Sequence, residues 1–361
     1  FITVFSLLAV IVPAIFVSPS VRNKSNILSG EASVVEMSVR PAFNDNNSHF
    51  LYIESKGRRS TIWAASADDI ARSRQKVISV THAIDTPIKA TLSPNNDFIS
   101  YTLIPKEVDP TFDGSLWLVG IDGKSPSLVD KNVDYAWPPR WSPDGKTFFY
   151  QKLISQEDRE HYYSEFYIAN TNSEKRLLFT DKEALAVIPI GWSPDGSTIF
   201  VDRIQSDGDS IYKVDSKSGQ VQFLAPVSHT AAWNLSLSSD GEQILGSVLN
   251  GDQQNTYSVI SISTKTGSKK SIMAGSYHHY TPIWSDENKS VITNIPSDGN
   301  IGKLHTIQAD GEVGHNTIAR AQWPNQYNTV PLSYSLDKQW LAVELYSNTS
   351  VQIALMQKNT Q

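Results

Sequence analysis

Cysteine is absent from the 361 residues. That excludes disulfides, thiolate catalysis, cysteine-ligated zinc and a lipid anchor on cysteine. No block rich in lysine or arginine occurs, and the formal net charge is −6. A nucleic-acid partner is therefore not expected. Long stretches of helical periodicity are missing as well, which argues against a helical or mixed fold. Three catalytic signatures are also lacking: a G-x-S-x-G nucleophile elbow, a glycine-rich phosphate loop and metal-ligand spacing. No cofactor and no metal is expected.

What remains is a globular composition, 40% hydrophobic, 19% charged and 10% aromatic, with material for a sizeable core. Within it one phrase is written twice, "WSPDGKTFFY" from Trp141 and "WSPDGSTIFV" from Trp192. Weaker copies read "FNDNN", "LSPNN", "LSSDG", "WSDEN" and "YSLDK". The seven copies start at residues 43, 92, 141, 192, 237, 284 and 334, at intervals of 45–51 residues. A period of that length marks a repeat architecture.

Each unit has the same grammar. A short strand precedes the turn and three more follow it, rich in β-branched and aromatic residues. Four strands per unit and seven units predict an all-β fold, a seven-bladed β-propeller. Pro-Asp-Gly is turn chemistry: proline fixes φ, and glycine takes φ > 0 without steric cost. Asp144 and Asp195 accordingly read as turn formers rather than catalysts. The last unit is one strand short, so Ala32–Val39 is expected to pair beside Ser350–Met356 and close the ring.

The N-terminal stretch Phe1–Val17 carries no charge. At 1.5 Å per residue it comes close to spanning ~30 Å of hydrocarbon. It reads as a retained transmembrane helix, with a signal-peptide core as the rival. Arg22 and Lys24 alone would favour a cytoplasmic following segment, but the preceding flank needed for that comparison is missing. The expected layout is a transmembrane helix over 1–17, a linker over 18–33 and a propeller over 34–357. The expected placement is a single-pass membrane protein with an extracytoplasmic propeller.

The WSPDG turns, with "LWLVGIDGKS" (Leu116–Ser125) and "SIYKVDSKSG" (Ser210–Gly219), resemble the TolB-type β-propeller repeat, and the resemblance covers about residues 40–357. It implies the fold, favours a bacterial source and says little of activity. The propellers of prolyl oligopeptidase and dipeptidyl peptidase families are similar, but those proteins need a hydrolase domain with a G-x-S-x-G elbow.

Functional residues are then sought in the loops. In a propeller, the loops joining second to third strands and fourth to first strands share one face. Here that face carries Tyr135, Trp137, Tyr162, Tyr163, His278, Tyr280, Trp323 and Tyr327. Aromatic rings among polar neighbours are what interface hot spots use, so these eight are the binding candidates. His278 and His279 are adjacent; in an extended segment their side chains point opposite ways, which makes joint metal ligation awkward. The resulting expectation is a non-enzymatic, membrane-anchored propeller that docks on a protein partner as an accessory subunit of a membrane complex. The alternative is a sensor or enzyme that uses the central channel for a small ligand or metal. An enzyme of that kind would place convergent carboxylates or histidines on the first strands.

Overall fold

The computed structural model describes residues 25–27 and 49–357, apart from 57, 67–69, 84–87, 96, 105–112, 136, 156–161, 207, 228–234, 251–255, 277–281, 285–289, 298–299, 309–315, 318–327, 335–339 and 348–349. Among these residues, helix is limited to the four-residue turn Ile70–Ser73. The strands form six four-stranded antiparallel sheets and one of three strands; all are meanders in chain order except one, whose edge strand comes from the N-terminal part of the chain. This is the all-β, propeller-type architecture that the repeat predicts.

Each sheet is named here for the residue that opens its turn. The Leu92 blade comprises Lys89–Leu92, Phe98–Leu103, Asp113–Gly120 and Ser127–Asp134. The Trp141 blade comprises Arg140–Trp141, Thr147–Ser155, Tyr162–Asn170 and Lys175–Asp181. The Trp192 blade comprises Ala186–Trp192, Thr198–Gln205, Gly208–Asp215 and Val221–Val227. The Leu237 and Trp284 blades repeat the plan from Ser236 to Ser276 and from Ile283 to Thr317. The three-stranded sheet is His49–Lys56, Arg59–Ser66 and Gln75–Thr81.

Burial explains the sequence of each strand. Second strands such as Phe98–Leu103 are buried on both faces, because a neighbouring blade covers each side. They read as continuous apolar runs for that reason. The outermost strand Ser127–Asp134 instead alternates in pairs between exposed and buried. The core is correspondingly divided among clusters that join neighbouring blades. Phe149, Phe166 and Leu178 of the Trp141 blade, for example, pack on Val187, Ile199 and Val201 of the Trp192 blade.

The repeated turn shares one set of bonds in the Trp141, Trp192 and Leu237 blades. The amides of Gly145, Gly196 and Gly241 donate to the carbonyls of Ser142, Ser193 and Ser238, each at 2.9 Å. The three glycines have φ of 67°, 71° and 75°. The same serine hydroxyls donate to Asp144, Asp195 and Asp240 at 2.6 Å. The leading tryptophans do link neighbouring first strands: Trp192 Nε1 donates to Arg140 O at 2.9 Å, and Trp141 Nε1 to Thr91 O at 3.4 Å.

Two expectations change. The strand beside Ser350–Gln357 is Ser25–Ile27, in register Ser25↔Met356, within the stretch expected to be a linker. Ala32–Val39, expected in that position, lies outside the described residues. Second, the expected single-pass membrane placement is corrected: among the described residues no helix is long and apolar enough to cross a membrane. Four helical residues rise only about 6 Å, against a hydrocarbon layer of ~30 Å. Phe1–Val17 also lies outside the described residues.

Candidate functional site

The face formed by the longer loops is described in part. Tyr135 and Trp137 follow the outermost strand of the Leu92 blade, and Tyr162 and Tyr163 open the third strand of the Trp141 blade. Tyr135, Trp137 and Tyr163 are half-buried rather than freely exposed. Tyr135 folds back over Gly114, where an added Cβ would lie 3.0 Å from its own Cβ. Lys182 places its ammonium 5.5 Å from the Tyr163 ring centre, a cation–π contact. His278, Tyr280, Trp323 and Tyr327 lie outside the described residues.

The Leu92 and Trp141 blades also share buried polar contacts that the sequence did not announce. Asp134 and Gln151 are both buried, and Gln151 Nε2 donates to Asp134 Oδ2 at 2.5 Å. Asp130, 7% exposed, accepts from Tyr150 Oη at 2.8 Å and pairs with Lys175 at 2.6 Å and Lys152 at 3.4 Å. Burial pushes the Asp130 carboxyl up, but the Lys175 ammonium, the Tyr150 hydroxyl and the Lys131 amide outweigh it, leaving it below the usual range. These contacts join the Leu92 blade to the Trp141 blade.

One further pair has catalytic chemistry without catalytic access. Ser60 Oγ lies 2.7 Å from His82 Nε2, and His82 Nδ1 lies 2.7 Å from Ala83 O. A carbonyl only accepts, so Nδ1 carries the proton and Nε2 accepts from the Ser60 hydroxyl. That is the hydrogen bond of a nucleophile and its base. Ser60 is 0% and His82 1% exposed, so no substrate reaches either. The pair instead secures the connection to the Leu92 blade, where Ala83 N donates to Ile104 O at 2.9 Å. The two residues are 22 apart, and no local pattern marks them.

The channel strands decide less than expected. Among the described first strands from Lys89 to Trp284, the charged side chains are Lys89 and Arg140, with no carboxylate and no histidine. No group of three or more His, Asp or Glu side chains that could hold a metal ion occurs among the described residues.

Against known proteins, residues 90–326 match the TolB beta propeller domain family. A curated relative, the "Uncharacterized peptidase YuxL" of Bacillus subtilis (strain 168), is 29% identical over 160 residues, covering 43% of this chain and 21% of that protein. The chain thus spans about a fifth of the length of the curated relative it matches. A solved prolyl endopeptidase is similar with a TM-score of 0.65 at 13% identity, over 88% of this chain and 48% of that one. An oligogalacturonate lyase in complex with manganese is similar at 0.62 and 10% identity, over 89% of both chains. The structural likenesses establish the fold. The sequence relation overturns the expectation of a non-enzymatic accessory subunit, because a relative at 29% identity bears a peptidase name.

Proposed function

This chain belongs to the TolB beta propeller domain family, and from that premise we propose that it is the propeller of a peptidase, a ring that governs which peptides reach a hydrolytic centre. The carrying observation is the 29% identity over 160 residues with a peptidase-named protein. Fold alone would not choose, since the same architecture serves a lyase and an endopeptidase. The proposal takes the ring to have seven blades, closed by the N-terminal strand Ser25–Ile27 beside Ser350–Gln357.

The admitting face in this reading is the one with Tyr135, Trp137, Tyr162, Tyr163, His278, Tyr280, Trp323 and Tyr327. Rigid aromatic rings offer contact area to an extended peptide or to a hydrolase domain at low entropic cost. The proposed division of labour leaves bond cleavage to groups other than the described first strands. The native gene product, purified from its own cells, tests this with a ladder of peptides of increasing length. Hydrolysis that falls off with length, and a cut-off that moves in Trp137→Ala, is the expected result. No peptide hydrolysis at any length overturns the peptidase reading; a cut-off unchanged in Trp137→Ala overturns the assignment of the face.

A further inference from the structure

The turns on the opposite face repeat closely, so a departure among them is informative. Where successive turns adjoin, the earlier turn fills the space beside the later glycine. A Cβ on Gly145 would lie 2.6 Å from Asn95 Oδ1, and one on Gly241 would lie 2.3 Å from Pro194 Cδ. Beside Gly196 the nearest atom, Pro143 Cδ, is 3.9 Å away. The two full WSPDG turns therefore stand apart, and between them opens a cleft of about 310 Å³. That is the small end of the ~300–1,000 Å³ typical of ligand pockets.

The cleft's lining is chemically divided. Trp192, Pro143, Pro194 and Ile168 supply apolar surface, while Asp144, Asp195 and Arg176 supply charge. Both carboxylates are held ionised. The Ser193 hydroxyl, then the Ser197 amide and hydroxyl, bring Asp195 down to about 2, and the Ser142 hydroxyl and Lys146 amide lower Asp144. Arg176 spends one N–H on Ser216 O and, among the described residues, forms no ion pair with either carboxylate. A guanidinium carries five donors in a fork that suits a carboxylate. One cleft thus presents two anions and a cation that do not neutralise each other, beside an indole face.

We propose that this cleft binds a small zwitterion, a free amino acid or dipeptide with an apolar side chain. Its ammonium is taken by Asp144 and Asp195, its carboxylate by Arg176, and its side chain lies against Trp192 and the two prolines. The inference does not rest on the peptidase reading, since it needs binding and no hydrolysis.

Calorimetric titration of the whole chain with L-leucine and glycyl-L-leucine tests it, with N-acetyl-L-leucine amide as the chargeless comparison. Binding of at least one zwitterion and none of the blocked compound is expected. Asp195→Asn and Arg176→Gln should each weaken it roughly tenfold, the loss expected for one charge-assisted hydrogen bond. Arg176→Lys should recover part of that loss, and each variant is titrated well below its own melting transition, because Asp195 and Arg176 also bond their local backbone. Absence of heat with both zwitterions overturns the proposal. Equal binding of the blocked compound does too, on the parent protein alone, even if a variant folds poorly. Parent-like affinity in both Asp195→Asn and Arg176→Gln likewise overturns it.

Discussion

The junctions on either side of the Trp141 blade solve one problem in two ways. In each, an aspartate on the outermost strand of one blade reaches a polar side chain on the second strand of the next. At the junction with the Leu92 blade, Asp130 is 7% exposed and is shared by Tyr150, Lys152 and Lys175. At the junction with the Trp192 blade, Asp181 meets Arg203 through two bonds of 2.6 and 3.1 Å, and Arg203 also reaches Glu183 at 3.2 Å. Asp181 and Arg203 are each 14% exposed. The more buried anion draws its side-chain partners from three residues, whereas the shallower one takes one guanidinium fork and adds the Glu183 and Ala184 amides of its own turn. Both carboxylates need several donors before the ionised form is tolerated; what differs is whether those donors are separate side chains or one fork and the local backbone.

Removing the deeper carboxylate should break the comparison most strongly. Asp130→Ala strands the Tyr150 hydroxyl and leaves Lys152 facing a tyrosine pair without its counter-charge; those rings stack at 5.6 Å. The expected cost is ~2–3 kcal/mol, from the stranded Tyr150 hydroxyl and the lost charge-assisted bonds, since Lys152 and Lys175 still reach solvent. A chemical-denaturation midpoint measures it, and a loss under about 1 kcal/mol would mean that water already satisfies the cluster.

The shallower junction should lose less. Arg203→Gln, Asp181→Asn and their double variant form a cycle whose coupling should be ~1–3 kcal/mol, since hydrogen bonds to charged groups contribute at that level. Coupling near zero would reduce the fork to a surface contact.

Acidity separates the two junctions further. Burial raises Asp181, but the Arg203 guanidinium and the Ala184 and Glu183 amides leave it net lowered, as Asp130 is. Such groups favour the fold while ionised. Their contribution is complete above the ordinary carboxylate value of about 4 and drains as pH falls through their lower folded values. The tyrosines act at the other end. Burial pushes Tyr101 to about 12; burial and the Glu165 carboxylate do the same to Tyr167. Burial and the Asp130 carboxylate push Tyr150 up as well. Their contribution is complete below a phenol's ordinary value of about 10 and is lost as pH climbs above it. Stability should therefore be flat between about pH 5 and 9 and fall on both sides. Asp130→Asn should flatten both limbs, because its charge serves both, whereas Asp181→Asn should flatten the acid limb alone. Identical alkaline limbs in parent and Asp130→Asn would refute the shared role.

Much of this was legible in the chain. The repeat starts fall at the boundary between first and second strands in each described blade, because proline and glycine fix the turn locally. The closing strand was not legible. Ala32–Val39 has the stronger strand pattern, yet Ser25–Ile27 takes the place beside Ser350–Gln357. The choice depends on a free edge more than 300 residues away, which no local propensity records. Asp130, Ser60 and His82 were hidden for the same reason: their partners sit on other strands. The loop aromatics were found by type, but Tyr135, Trp137 and Tyr163 turned out half-buried, because side chains of that size also cover the blade ends. Asp144 and Asp195 were rightly read as turn formers, and that reading concealed the gap between them, which depends on how far two turns stand apart.

The smallest expected effect concerns the indoles that tie neighbouring first strands. Trp192 and Trp141 occupy equivalent positions with different balances of bond and packing. Trp192 makes the shorter bond, 2.9 Å to Arg140 O, but its ring is half-buried and lines the cleft. Trp141 makes a poorer bond at 3.4 Å, yet its ring is 9% exposed and meets Phe148 edge-on at 4.8 Å. Trp192→Phe should cost ~1 kcal/mol, chiefly the lost N–H donor, with little cavity because the ring borders open space. Trp141→Phe should cost somewhat more, ~1–2 kcal/mol, and most of that from packing around the vacated ring. The two origins separate when the cleft is probed: Trp192→Phe should also weaken L-leucine binding, and Trp141→Phe should leave it unchanged. If Trp192→Phe melts with the parent, the indole bond adds nothing to the junction. If Trp141→Phe weakens L-leucine as much as Trp192→Phe does, the apolar wall has been assigned to the wrong tryptophan.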